Sequence, residues 1–366
     1  MSATKNGPPV AGGVVTAVRE GVRVGPVGVR FRPRVLAITV TALVVLLALT
    51  VFGIGIGSVP IGPVDVVRTL AGNGTPAQQL IVMDLRMPRV LTGVLVGLCL
   101  GVAGALTQTF TRNPLATPDV LGVTAGASAG AVGAIILGGG TYAVTSAVLG
   151  RGIPVAAITG ALLASALVYG LGWRGGVESY RLILVGIGVG SVLTAVTSYL
   201  LVRAQISDAA QATAWLVGSL SGTSWDALRP LLGVTAIGLP LAVACSAPLG
   251  VAQLGEETAT GLGLGVQRHR LLVIAVAVVL TGASVAAAGP VGFVAFVVPQ
   301  IALRLTRASR PPILLSGLLG GALVTAADLC GRTVFPWTVP VGLLTTVVGA
   351  PYLIWLLIRH RRELIS

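Results

Sequence analysis

The stretch Leu254–Arg270, LGEETATGLGLGVQRHR, decides how the rest of the chain is read. It stands between two long apolar runs, yet it carries adjacent carboxylates, glycines at 255, 261, 263 and 265, and a basic end. Glu256 and Glu257 follow Gly255 as expected at a helix N-terminus, where the unsatisfied N–H groups and the dipole favour negative charge. Glu257 to Thr260 make a short turn, Gly261 and Gly263 break it, and a second turn runs to Arg268. Two short helices folded on each other form a firm knob, and a partner that moves the knob moves the apolar runs on either side. An ordinary connecting loop is the plainer alternative.

Outward from this segment the composition is that of a membrane protein. Of 366 residues, 54% are hydrophobic and only 10% charged, and the mean hydropathy is +0.95. A soluble domain carries about a quarter charged residues, so a bilayer must solvate this chain. Strand-type alternation is missing, which argues against an outer-membrane barrel. Apolar windows predict about ten spans, near 35–54, 88–107, 119–138, 153–172, 181–202, 229–247, 271–289, 292–306, 313–331 and 339–358. The eighth is short, and Ser207–Ser224 holds room for an extra helix outside the bilayer. Residues 1–34, polar, Gly/Pro-rich and basic, read as a disordered cytoplasmic tail ahead of a single membrane domain over 35–360. The first apolar run lacks an evident small-residue cleavage site, so it is expected to stay as a span.

Charge then sets the orientation. With the N-terminus inside, seventeen basic residues fall on the cytoplasmic side and seven outside, counted from the 24 in the chain. Cytoplasmic loops carry such an excess of Lys and Arg. An even number of spans puts both termini inside the cell membrane and Leu254–Arg270 in the cytoplasm. The net charge of +13 therefore reflects loop bias. Nucleic acid is not expected, because the basic segments lack aromatics on which bases stack. Gly93, Gly97 and Gly101, and again Gly122, Gly126 and Gly130, recur every fourth residue, a spacing that lets helix backbones approach closely.

Chemistry is conspicuous mostly by what the residues cannot build. The one lysine is Lys5, so the phosphate-binding loop GxxxxGK[ST] cannot be made, and any ATP-driven motion must come from another subunit. Cys99, Cys245 and Cys330 sit singly in apolar runs, and His269 and His360 have no metal-ligand spacing. Gly186–Gly190 lies in an apolar run with no strand before it and is not a nucleotide loop. In Gly218-Ser-Leu-Ser-Gly222 the central residue is Leu220, so it is not a nucleophile elbow. No catalytic constellation and no metal site is predicted. Most carboxylates lie at span ends or in loops; Asp328 is the exception, with Arg332 four residues on as a partner on the same helix face. An ion-coupled secondary carrier, which places carboxylates at mid-membrane, stays open as an alternative resting on Asp328. A purely structural membrane protein is a third reading.

A set of short motifs in order narrows this. Arg86-Met-Pro-Arg89 is followed by Gly104-Ala-Leu-Thr-Gln108, Arg112-Asn-Pro-Leu-Ala116 and Leu121-Gly-Val-Thr-Ala-Gly126. Then come Trp215–Leu220, Leu254-Gly-Glu-Glu-Thr258, Gly289-Pro-Val-Gly-Phe293, Val298-Pro-Gln300, Pro340-Val-Gly342 and Gly349-Ala-Pro351. Together these resemble the FecCD family of ABC importer permeases, the vitamin B12 and iron-siderophore type, over roughly 40–360.

The resemblance implies an all-α polytopic fold with ten spans, the BtuC-like type II ABC importer permease fold. It implies a permease dimer, two cytoplasmic ATPase subunits that bind the ATP and Mg, an extracytoplasmic binding protein, and no cofactor on this chain. It makes the segment at about 250–268 the coupling helices, with Leu254, Gly255, Glu256, Glu257, Thr258, Gly261 and Gly263 as its residues. Glu256 and Glu257 are expected to cap the first coupling helix or to meet basic groups on the ATPase. Arg112, Asn113 and Pro114 form a cytoplasmic turn, since proline disfavours helix at the residue before it. Arg68 and Arg332, on the outer side, are candidates to meet carboxylates of the binding protein. Many members have His after the Val-Pro pair where this chain has Gln300, a departure similar to the partner-type permeases of catecholate, enterobactin-like siderophore systems. That points to a related paralogue as the second permease. Iron-siderophore is the expected cargo, with haem and cobalamin as alternatives within the family.

Overall fold

The computed structural model describes residues 22–24, 27–29, 33–57, 59–137, 149–174, 176, 178–253 and 255–363. Two short strands, β1 (Val22–Val24) and β2 (Val27–Val29), pair antiparallel with Val22 opposite Val29. They stand inside the segment for which composition predicts disorder. β-branched residues flanking Gly25-Pro26 supply a local hairpin signal that an average over the tail hides. Pro33 and Arg34, the end of that tail, already belong to the first span's helix, and the rest of the tail lies outside the described residues.

The helices follow in chain order: α1 (Pro33–Gly55), α2 (Pro63–Leu70), α3 (Pro76–Gln79), α4 (Met87–Thr111), α5 (Val123–Leu137), α6 (Leu149–Gly172) and α7 (Ser179–Arg203). After them come α8 (Ile206–Leu216), α9 (Trp225–Ala252), α10 (Glu256–Gly261), α11 (Val266–Ala288), α12 (Val294–Thr306), α13 (Ile313–Thr333) and α14 (Val341–Glu363). Among the described residues seven helical segments are long and apolar enough to cross a membrane, and three shorter apolar helices, over 123–137, 294–306 and 341–356, complete the expected ten. The predicted extra helix outside the spans is α8.

The second span is longer than its apolar window. A π-helical turn, Leu80–Arg86, joins α3 to α4, so one helical rod runs from Pro76 to Thr111. The eighth span is short because the chain before it cannot be helical. Gly289 has φ 71°, and Phe293 is held left-handed at φ 65°, so α12 starts only at Val294.

α4 and α11 form the enclosed centre, and α1 and α7 present most of their surface outward. Close backbone approach explains the spacing of glycine. A Cβ on Gly97 would stand 2.2 Å from the carbonyl oxygen of Gly320, and one on Gly101 2.2 Å from that of Ser316, so α4 and α13 touch backbone to backbone. Gly126 and Gly130 meet Gly160 and Ala156 of α6 in the same way. Gly122 departs from this pattern. It ends a 3-10 turn, Pro118–Leu121, in the left-handed region at φ 73°, and so lies before α5 rather than on its packing stripe.

Candidate functional site

At one end of the bundle the structure brings two predicted elements together. Pro114 and the left-handed Arg112 (φ 53°) stop α4 at Thr111, and the Asn113 side-chain oxygen accepts from the Leu115 N–H at 2.9 Å, closing the turn. Arg112 then reaches across 140 positions of sequence to donate to the Ala252 carbonyl at 2.7 Å, in the last turn of α9. A small cavity of about 40 Å³ lies between them, bordered by Phe110, Gln253, Glu256 and His269.

The segment after α9 is organised as expected in its first half and differently in its second. Gly255 is the N-cap of α10 at φ 113°, a conformation that glycine adopts without a Cβ penalty, and Glu256 and Glu257 fill the first turn. Thr260 Oγ1 donates to the Glu256 carbonyl at 2.7 Å, the Leu264 N–H donates to the Ala259 carbonyl at 3.0 Å, and Ala259 is fully buried under the turn. Gly263, at φ 82°, then reverses the chain. The expected second short helix does not exist as a separate element. From Val266 the backbone is continuous with α11, because nothing between Val266 and Ala288 breaks a helix. One short helix therefore stands on the end of two long ones. Glu256 Oε1 lies 2.6 Å from Arg270 Nη2 on α11, which pins α10 to the next span. Glu257 and Thr258 are exposed on the same turn, and Gly261 has no atom within 4 Å of a built Cβ. Leu254 lies outside the described residues.

The opposite end holds a basic cluster. Asp328, 5% exposed, is gripped by Arg89 through three contacts of 2.8–3.2 Å and faced by Arg332 at 3.3 Å. The intrahelical pair with Arg332 is as expected. Arg89 is the partner that sequence reasoning missed, although its place three residues after Arg86 puts both on one face of the rod. Arg332 also donates to the Ile56 carbonyl at 2.9 Å and to that of Gly53, while Arg86 donates to Ile54 and Gly55 at 2.9 Å and to Val59 at 2.5 Å. The guanidiniums thus satisfy carbonyls at and just beyond the C-terminus of α1, where cations are favoured. Arg332 is only 11% exposed and is engaged within the cluster, so it is not a free surface side chain. Arg68 is 68% exposed beside Asp65 at 3.8 Å.

Between the two ends, Gln300 Nε2 donates to Gln108 Oε1 at 2.6 Å and Gln108 Nε2 to the Phe296 carbonyl at 3.0 Å, a buried amide chain joining α12 to α4. A wide cleft of about 650 Å³ runs along α7, between Ser191, Thr194 and Ser198 on one wall and Thr117 and Asp119 on the other. Ser191, Thr194 and Ser198 donate to their own helix carbonyls four residues back. Val120, Ile187 and Ala195 also line it, so hydroxyls and apolar side chains alternate on its walls. Among the described residues no group of three or more His, Cys, Asp or Glu is placed to hold a metal ion.

The comparisons with known proteins agree with this architecture. The model of the FecCD transport family matches residues 44–359. The chain is 38% identical over 314 residues to the ferric enterobactin transport system permease protein FepG of Escherichia coli (strain K12), covering 86% of this chain and 93% of that one. It is 39% identical over 323 residues to the achromobactin transport system permease protein CbrC of Dickeya dadantii (strain 3937), covering 87% and 90%. It is 39% identical over 282 residues to the cobalamin import system permease protein BtuC of Halobacterium salinarum (strain ATCC 700922 / JCM 11081 / NRC-1), covering 76% and 73%. An inward-facing structure of a transporter described as of the metal-chelate ABC type superposes with a TM-score of 0.75 at 27% identity, over 88% of this chain and 99% of that one. Ten apolar helices, an organised segment between the sixth and seventh, and a family match spanning nearly the whole membrane domain lead to one assignment: the chain belongs to the FecCD transport family.

Proposed function

We propose that this chain is the permease subunit of an ATP-driven importer that carries a ferric siderophore across the cytoplasmic membrane, with α10 as the handle gripped by a separate ATPase. The observation that carries the reading is the placement of α10. It projects from the junction of α9 and α11, is tied to α11 by Glu256–Arg270, and stands beside the Arg112 turn of α4. A force on α10 is thereby delivered to three spans at once. Both termini and this segment face the cytoplasm in this reading, consistent with the excess of basic residues on that side. A second permease, a related paralogue, completes the pathway, and the hydroxyl-bearing cleft along α7 contributes one wall. An extracytoplasmic binding protein docks on the opposite end through carboxylates that meet Arg68 and the net positive charge around Arg332. The cargo assignment rests on the relatives that transport ferric enterobactin and achromobactin; the cobalamin-importing relative makes cobalamin the second reading.

Asp328 lends little to an ion-coupled cycle, because its carboxylate is already taken up by Arg89 and Arg332. The test is uptake of radiolabelled iron as a catecholate siderophore, with labelled cobalamin in parallel, in cells whose ATP is maintained while an uncoupler collapses the proton gradient. Uptake that survives the uncoupler, together with an ATPase and a second permease that copurify in mild detergent, supports the importer. Uptake that collapses with the gradient overturns it. Cobalamin uptake without iron uptake moves the cargo to the second reading.

A further inference from the structure

We propose that the ends of α1, α12 and α14 on the α10 side of the bundle form a binding site for one anionic phospholipid. Arg34, Arg304 and Arg307 hold the phosphate, and the acyl chains lie along the apolar wall of α1 and α14. Arg34 Nε donates to the Leu305 carbonyl at 3.1 Å, which ties the first turn of α1 to the last turn of α12. Arg307 ends α12 in the left-handed region at φ 50° and is exposed there. Arg304 is held over the ring of Trp355 on α14, 5.0 Å from its centroid. Three arginines thus stand at the ends of α1 and α12, with Trp355 of α14 beside one of them, and among the residues whose side chains are described no carboxylate lies within ion-pairing distance of Arg34, Arg304 or Arg307.

A soluble partner would need only the charge. A lipid needs charge and a greasy surface in register, and both are present. Two residues into α1 from Arg34, Leu36 is 49% exposed, and on α14 Trp355 and Ile358 are 46% and 55% exposed. The guanidinium fork matches phosphate oxygens in pairs. Clustered arginines next to a span attract anionic headgroups, and a tryptophan at that depth marks the interface. Which leaflet supplies the lipid rests on the orientation proposed above; the site itself does not.

The experiment is native mass spectrometry of the purified chain released from micelles containing equal phosphatidylglycerol and phosphatidylcholine, with and without excess inorganic phosphate. The expected result is a retained phosphatidylglycerol adduct that phosphate does not strip and that Arg34→Gln/Arg304→Gln/Arg307→Gln loses. Arg304→Lys, which keeps the charge but not the fork, retains the adduct weakly and guards against misfolding of the triple variant. Equal retention of both lipids, stripping by inorganic phosphate, or an unchanged adduct in the triple variant overturns the proposal. So does a triple variant that loses a copurifying ATPase while keeping its lipid, since the patch is then a protein contact. None of these readouts uses the cargo, so they fail independently of the iron-uptake test.

Discussion

At the scale of a residue, the two largest constraints are a missing side chain and a paired charge. Gly97 meets the Gly320 carbonyl so closely that any Cβ forces α4 and α13 apart, whereas Gly133 has nothing within 4 Å of a built Cβ. Gly97→Val is expected to lower stability by about 1–3 kcal/mol, the usual cost of overpacking a dense core, while Gly133→Ala is neutral or slightly stabilising. Melting of the two detergent-solubilised variants, followed by fluorescence of a buried-cysteine dye, separates them; equal melting would remove the backbone-contact argument. Asp328 is the reverse case. Asp328→Ala strands Arg89 and Arg332, which are 20% and 11% exposed, and is expected to cost about 3 kcal/mol because an uncompensated charge is left largely enclosed. Adding Arg89→Met to that variant should restore part of the loss, since the pair acts as a unit. A double variant no better than the single one would mean that Arg89 is solvated on its own. The glycine spacing was legible in the sequence because small residues four apart have one physical use in a membrane. The Arg89 contact was not, because 239 positions separate it from Asp328 and no local pattern encodes which helix lies alongside.

At the scale of an element, α10 explains both a success and a miss of sequence reasoning. Glycine, two carboxylates and a glycine reversal are local signals, so the first short helix could be read directly from Leu254–Arg270. The second was misread because Val266–Arg270 looks polar enough to be a separate turn, yet nothing in it stops a helix, and helices extend until something does. That extension is what puts Arg270 in reach of Glu256 at 2.6 Å. Glu256→Arg is expected to loosen α10 and reduce ATPase copurification several-fold, with the permease itself still folded, because an exposed ion pair is worth only about 1 kcal/mol to global stability. The charge swap Glu256→Arg/Arg270→Glu should return most of the ATPase. If the swap is as poor as the single variant, Glu256 contacts the ATPase itself rather than positioning α10.

At the scale of the whole molecule, hydropathy gave ten spans because a bilayer imposes one length on every crossing helix. It could not give their neighbours, and both the basic cluster around Asp328 and the meeting of the Arg112 turn with α9 depend on neighbours. Orientation is the property from which the largest functional claim hangs. Gly261, at the end of α10, and Ser221, before α9, stand at opposite ends of a helix of 28 residues, and both are exposed. In a background with Cys330, the exposed native cysteine, changed to Ser, Gly261→Cys and Ser221→Cys place one thiol at each end, while Cys99 and Cys245 stay buried. A membrane-impermeant maleimide added to intact cells should modify the thiol at 221 and spare the one at 261 until the membrane is permeabilised. The reverse pattern would put α10 outside, out of reach of any ATPase, and would turn the charge bias of 17 basic residues against seven into an exception to the rule that arginine-rich loops stay in the cytoplasm.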